Sequence, residues 1–254
     1  MTADEKTIIA RFLNLCAASV GSGYLCREPE YNFEDDPHKE TEDVKEKEKH
    51  LTPLIPRDEK INVKAADSDS LDKIAEEIKA CNLCRLCENR TNAVPGEGVP
   101  NPVVMVIGEG PGADEDSSGR PFVGRAGLLL DKMLESIGLS REKNCFIANI
   151  IKCRPPANRD PLPDETALCS SYLERQIKLL KPRFILCAGR ISTQTLLRTT
   201  EPIGKLRGKF TKLETDNGEI PLIATYHPAA LIRNEDLKRP TWEDLKILRS
   251  AIEG

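Results

Sequence analysis

The sequence predicts an α/β fold in which a mainly parallel sheet carries helices on both faces. Three observations point that way. Short apolar runs at 102–107, 146–151, 183–188 and 221–226 alternate with longer stretches of helical periodicity, the order that βαβ units require. The first run opens into a long, polar, glycine-rich loop that feeds a helix, and open α/β sheets bind ligands at that end of their strands. With 254 residues and 39% apolar content, the chain can bury one full domain of this kind.

The N-terminal part differs in kind. Residues 1–26 form a short segment in which residues 3–19 carry an amphipathic helical pattern. Asp4 and Glu5 stand where a secretory leader needs basic residues, and Arg11 and Asn14 interrupt the apolar run, so export is not expected. No stretch has the length and apolarity of a membrane span. Residues 27–70 are rich in Glu, Lys, Asp and Pro, and such composition buries too little surface to offset its ordering entropy, so a disordered acidic linker is expected. Residues 1–80 carry 12 Lys and Arg against 19 Asp and Glu, net −7, while the whole chain is −4; residues 81–254 are therefore +3. A mildly basic domain, 71–254, permits nucleic-acid binding without demanding it. Residues 1–70 are a candidate docking segment for a protein partner, and a cytoplasmic, nucleoid-associated monomer is expected.

Taken in order, Ser70 reads as the N-cap of a helix with Leu71, Ile74 and Ile78 on one face, ending at Cys81-Asn-Leu-Cys84-Arg-Leu-Cys87. Pro102 to Ile107 is a continuous apolar run, the signature of a strand buried on both faces. The loop from Gly108 to Gly127 reads GEGPGADEDSSGRPFVGRAG: six glycines, four carboxylates (Glu109, Asp114, Glu115, Asp116) and one aromatic, Phe122. It lacks the Lys-Ser/Thr of a P-loop, and Pro111 interrupts glycines spaced by two, so neither phosphate-binding fingerprint fits. A helix follows, with Ala126, Leu129, Leu130, Met133, Leu134 and Ile137 on one face. Phe146 to Ile151 is the second strand, running into the breaker-rich Lys152 to Arg159. A helix is expected over Pro163 to Leu180, a strand over Arg183 to Ala188, and a helix to Arg198. Ile203 to Phe210 and Pro221 to Tyr226 are expected as strands, with Asp216-Asn217-Gly218 turning between them. The last strand delivers Tyr226-His227-Pro-Ala-Ala-Leu-Ile-Arg233, and Thr241 with Asp244 is expected to open a closing helix.

Nine cysteines fit ligands or reduced thiols better than a secreted disulfide framework. Cys81 and Cys84 form a C-x-x-C pair, by itself equally suited to redox chemistry, and Cys153 and Cys169 add two more thiols in loop or helix-start positions. Four thiolates suit zinc or an iron–sulfur cluster. The wide spacing of the second pair fits a zinc ribbon poorly. Cys87 is a possible substitute ligand, whereas Cys145 and Cys187, at or inside strands, read as buried small apolar residues.

GEGPGADEDSSGRPFVGRAG, NIIKCRPPANR and HPAALIR, with the cysteine set, together resemble the family-4 uracil-DNA glycosylases. The resemblance covers about Ile78 to the C-terminus and leaves residues 1 to about 70 outside. It implies a three-layer α/β/α sandwich with a central parallel sheet, and a 4Fe-4S cluster on Cys81, Cys84, Cys153 and Cys169, with Cys87 left out. It implies hydrolysis of the deoxyuridine N-glycosidic bond in double- or single-stranded DNA. Such an enzyme must extrude its base and read it in a pocket. Phe122 would stack on uracil. Asn149 would accept from N3–H and donate to O4, a pairing cytosine inverts. His227 would stabilise the charge growing on O2. Glu109 and Gly110 would line the pocket; Gly110 stands where the best-known uracil glycosylases carry a water-positioning aspartate, leaving Glu115 as the nearby acidic candidate. Leu231, four residues past the histidine, would be the apolar wedge that fills the vacated stack. Arg233, Arg159, Arg154 and Lys152 would contact phosphates.

Relatives that bind uracil-DNA covalently carry a basic insertion ending in histidine after the second strand; CRPPANRD has none. The rival class is a non-catalytic iron–sulfur DNA-binding subunit recruited through the N-terminal segment.

Overall fold

The computed structural model describes residues 69–254, so the expectations for the N-terminal segment and most of the linker lie outside the described residues. Helix α1, Leu71–Ala80, starts as expected at Ser70, whose hydroxyl accepts from the Lys73 amide at 3.2 Å. The order continues β1 (Glu97–Gly98), β2 (Val104–Gly108), α2 (Ala113–Ser118), α3 (Arg125–Glu135), β3 (Cys145–Asn149), α4 (Pro163–Leu180) and β4 (Phe184–Ala188). Then come α5 (Arg190–Leu197), α6 (Ile203–Leu206), β5 (Phe210–Thr215), β6 (Gly218–Thr225), α7 (Pro228–Arg233) and α8 (Lys238–Glu253).

The sheet order is β1-β3-β2-β4-β6-β5. The four central strands are parallel, and β1 and β5 add antiparallel edges. The expected central parallel sheet is therefore present, inside a mixed one. Period-two alternation sends successive residues of the central strands to opposite faces. Val104 and Val106 pack in one core with Leu130 and Met133 of α3 and Trp242 and Leu245 of α8. Met105 and Ile107 pack in the other with Ile74 and Ile78 of α1 and Leu173 and Ile177 of α4. These two cores make the three layers.

Three local expectations change. Ile203 to Phe210 is not one strand: Pro202 caps a helical turn that buries Leu206, Gly208 takes φ +73° after it, and pairing begins only at Phe210. The Asp216-Asn217-Gly218 turn then joins β5 to β6 as expected, with Gly218 at φ +107°. The closing helix begins at Lys238, before Thr241. Thr241 is spent inside it on the Leu237 carbonyl, and Asp244 is buried against Arg207 and the Thr225 hydroxyl rather than capping. The loop after β2 also contains a short helix, α2, that the glycine-rich composition concealed.

Parallel pairing aligns the strand ends: Gly108 lies opposite Asn149, and Ala188 opposite Thr225. The loops bearing Glu109, Phe122, Asn149 and His227 therefore emerge along one edge of the sheet.

Candidate active site and cysteine hollow

Three of the expected residues meet at this edge. The Phe122 and His227 ring centroids are 5.6 Å apart with planes tilted by 30°. A Cβ on Gly108 would stand 2.5 Å from both Asn149 Oδ1 and Phe122 Cζ, so only glycine at that strand end lets the amide and the ring lie side by side. Asn149 is buried, and its Oδ1 has no hydrogen-bond partner among the described residues. A buried acceptor left unpaired costs stability in the free protein and is satisfied when a donor enters.

Phe122 is held in a backbone conformation that a bulky residue rarely adopts, φ +52°. Such strain costs on the order of 1–3 kcal/mol and persists where the surroundings over-determine it. Here they do. Glu115 Oε1 accepts from the Val123 and Gly124 amides, both at 2.9 Å, and its Oε2 accepts from the Gly112 amide at 3.0 Å. Arg141 donates to the Pro121 and Phe122 carbonyls at 2.9 and 3.0 Å while paired with Asp131. Gly127 approaches so closely that a Cβ there would lie 1.9 Å from the Phe122 carbonyl oxygen. Glu115 is thus a brace for the loop, with both oxygens committed, rather than a free acid or base. Arg141 went unsuggested by the sequence because it sits in no motif, and Gly127, the last residue of the glycine-rich loop, gave no local sign of its contact with Phe122.

His227 caps α7: its Nδ1 accepts from the Ala229 amide at 3.1 Å. Its proton therefore resides on Nε2, which leaves that nitrogen a donor. Burial, then the charge of Arg233, push its pKa down to about 4, against a weaker opposing pull from Glu115. The imidazole is neutral at pH 7. Glu109, one residue past β2, makes no ion pair among the described residues; burial and the nearby Asp160 push its carboxyl up to about 6, with Arg190 opposing. Gly110 lies against Ile151, where a Cβ would come within 2.7 Å of that side chain.

The remaining expectations divide. Arg233 is exposed and close enough to His227 to act on it electrostatically. Arg159 is not free for phosphate: its guanidinium forks onto both carboxylate oxygens of the fully buried Glu165, at 2.6 and 2.8 Å. Leu231 is not a projecting wedge. It is 0% exposed, in the core cluster with Leu129 and Leu245, because α7 folds that side chain inward. The apolar side chains that face solvent there are Ile232, 37% exposed, and Leu128, 59% exposed, which line one groove between α3 and α7. Lys152 is buried as well, and so is no phosphate contact.

On the other side of β3, Cys81, Cys84, Cys87, Cys153 and Cys169 line a single hollow walled by Ile78, Leu168 and Tyr172. Cys145 and Cys187 are buried elsewhere, as expected. Arg90 Nη1 donates to Cys153 Sγ at 3.0 Å and its Nη2 to the Lys79 carbonyl at 2.8 Å; the Lys152 amide donates to Cys169 Sγ at 3.3 Å. Among the described residues no three His, Cys, Asp or Glu side chains close on a single ion. A hollow of thiols with N–H donors aimed at two sulfurs fits the chemistry of a thiolate-held cluster, whose properties such hydrogen bonds tune.

Residues 95–246 match the profile of the uracil DNA glycosylase superfamily. The chain is 47% identical over 186 residues to the type-4 uracil-DNA glycosylase of Sulfurisphaera tokodaii, covering 71% of this chain and 84% of the relative. It is 42% identical over 182 residues to that of Archaeoglobus fulgidus, covering 70% and 91%. With that of Thermotoga maritima the identity is 40% over 185 residues, covering 72% and 94%.

Proposed function

Because this chain belongs to the type-4 uracil-DNA glycosylases of the uracil DNA glycosylase superfamily, we propose that it hydrolyses the N-glycosidic bond of deoxyuridine in DNA, releasing uracil and leaving an abasic site. The observation that carries the residue assignment is the buried, unpartnered Asn149 Oδ1 beside the Phe122 ring. In this reading the extruded base stacks on Phe122, Asn149 Oδ1 accepts from N3–H, and the amide NH₂ donates to O4. The neutral His227 donates through Nε2 to O2 as the base leaves as an anion, a stabilisation that grows with the developing charge. Glu109 is the carboxylate left to orient the attacking water, since Glu115 is committed to the loop. Gly110 contributes backbone to the pocket wall.

Cys81, Cys84, Cys153 and Cys169 would hold a 4Fe-4S cluster, which supplies covalent cross-links between α1, the end of β3 and α4. Cys87 lines the same hollow without being needed as a ligand. DNA lies across the loop edge, with Arg233 and Arg154 at phosphates, and the wedge passes from Leu231 to Ile232 and Leu128. No helix among the described residues is long and apolar enough to cross a membrane, and a monomer working on the nucleoid in the cytoplasm completes the proposal. A non-catalytic DNA-binding role is not favoured by the identity to named glycosylases.

Single-turnover incubation with an oligonucleotide holding one deoxyuridine tests this directly. Free uracil and an alkali-cleavable strand are expected; a protein that binds the oligonucleotide but releases nothing would restore the non-catalytic alternative.

A further inference from the structure

Lys152 lies three residues after Asn149 and one before Cys153, and its side chain is fully buried. Its ammonium donates to two neutral acceptors, the Asn149 main-chain carbonyl at 3.0 Å and Gln176 Oε1 at 2.8 Å. Gln176, on α4, is itself fixed by donation to the Pro95 carbonyl at 2.8 Å. The main chain of Lys152 is tied at both ends: its amide donates to Cys169 Sγ at 3.3 Å, and its carbonyl accepts from the Val94 amide at 2.7 Å. One residue thus touches the strand end that carries the base-reading amide, the helix that carries Cys169, and the segment leading to β1.

An ammonium is an expensive way to fill buried space, and buried charges are kept where they are paired or fully hydrogen-bonded. Among the described residues the Lys152 ammonium meets these two acceptors and no carboxylate. A methionine would fill the volume without that cost, so the donor itself is what the site retains. Asn149 is the last residue of β3, and the peptide beyond it is tied toward β2 by the Ile150 amide, which donates to the Gly108 carbonyl at 3.0 Å, but not toward α4. The ammonium supplies what the sheet does not: it fixes that carbonyl to α4.

We propose that Lys152 is a positioning residue for base recognition, locking the Asn149 end of β3 to the cysteine-bearing helix so that the hold on Cys153 and Cys169 is transmitted to the amide that reads uracil. The proposal rests on the reading of Asn149 given above. It is tested on the iron-replete full chain with Lys152→Met, Asn149→Ala and the double variant. Three quantities are measured: single-turnover uracil release, inhibition by free uracil, and affinity for product duplex containing an abasic site. Lys152→Met is expected to slow release about tenfold or more, the scale of one buried acceptor left unpaired. It should weaken uracil inhibition in parallel, with iron content and abasic-duplex affinity unchanged. In the Asn149→Ala background it should add no more than roughly twofold, because both changes disable one interaction. Lys152→Gln keeps a donor, should give an intermediate loss, and carries the test if Lys152→Met does not fold. Losses that multiply in the double variant, or uracil inhibition that stays at the wild-type level, overturn the proposal. A wild-type protein that releases no uracil overturns the functional reading instead.

Discussion

In the proposed reading, Asn149, His227 and Glu109 would divide recognition, leaving-group stabilisation and water activation among three side chains whose environments differ sharply. Asn149→Asp removes the donor to O4 and sets a carboxylate against that oxygen. Two mismatched buried contacts at about 1–3 kcal/mol each give a loss on the order of 10²–10⁴ in uracil release. DNA affinity, carried by phosphate contacts, should barely change; release at the wild-type rate would show that Asn149 does not read the base. His227→Ala should slow the chemical step by on the order of 10²–10³, the usual loss for one oxyanion donor. The pH profile separates the other two groups. His227 is depressed to about 4 and so stays a neutral donor throughout pH 5–8, contributing no limb there. Glu109, raised to about 6, is an active carboxylate above that pH and a protonated acid below it, so kcat should fall as pH drops through 6. Glu109→Gln should abolish that limb as well as slow the reaction; a limb that survives the substitution belongs to another group.

Two elements decide how those side chains are presented. The loop from Gly108 to Gly127 keeps Phe122 in a strained backbone because Glu115, Arg141 and Gly127 each close off its escape. Glu115→Ala is therefore expected to act as a loop mutation: it leaves three amides without their acceptor, weakens uracil binding, and leaves the Glu109 pH limb where it was. Helix α7 separates a core leucine from an exposed isoleucine in adjacent positions. Leu231→Ala should cost about 2–5 kcal/mol of folding stability, as a buried leucine truncation does, and show up as a lower Tm. Ile232→Ala should leave Tm unchanged and slow excision from duplex more than from single strands, since only the duplex has a stack to fill. Equal slowing on both substrates would take the wedge away from α7.

At the scale of the whole molecule, the sheet separates two faces of chemistry that share one strand. The proposed base-reading edge and the cysteine hollow are joined by Asn149-Ile-Ile-Lys152-Cys153, so the two candidate sites are built on a single stretch of backbone. Anaerobically purified protein should contain iron and absorb broadly at about 400 nm, from thiolate-to-iron charge transfer. Cys153→Ser should lose the colour and much of the solubility, because the cross-links between α1, β3 and α4 go with it. Cys87→Ser and Cys187→Ser should keep both, and stoichiometric zinc without iron would refute the cluster.

What the sequence determined by itself was whatever is encoded over short separations. The apolar runs and helical periodicity specified the central strands and most of the helices, since burial of a strand or of a helix face imposes a local pattern. The candidate residues Phe122, Asn149 and His227, which the structure brings to one edge of the sheet, stood out in the sequence because each lies inside one of the motifs that carry the family resemblance. The tertiary structure decided which charged and apolar residues are available. Arg159, Glu115 and Lys152 read as loop charges until folding brought Glu165, the Val123 and Gly124 amides, and Gln176 against them. Leu231 read as a projecting side chain until α7 turned it into the core and left Ile232 outside. Availability depends on partners that strand or helix periodicity does not pair: Arg159 and Glu115 meet theirs six to nine positions away across a turn of the chain, and the bond from Lys152 to Gln176, 24 positions apart, leaves no mark on the local pattern at either end.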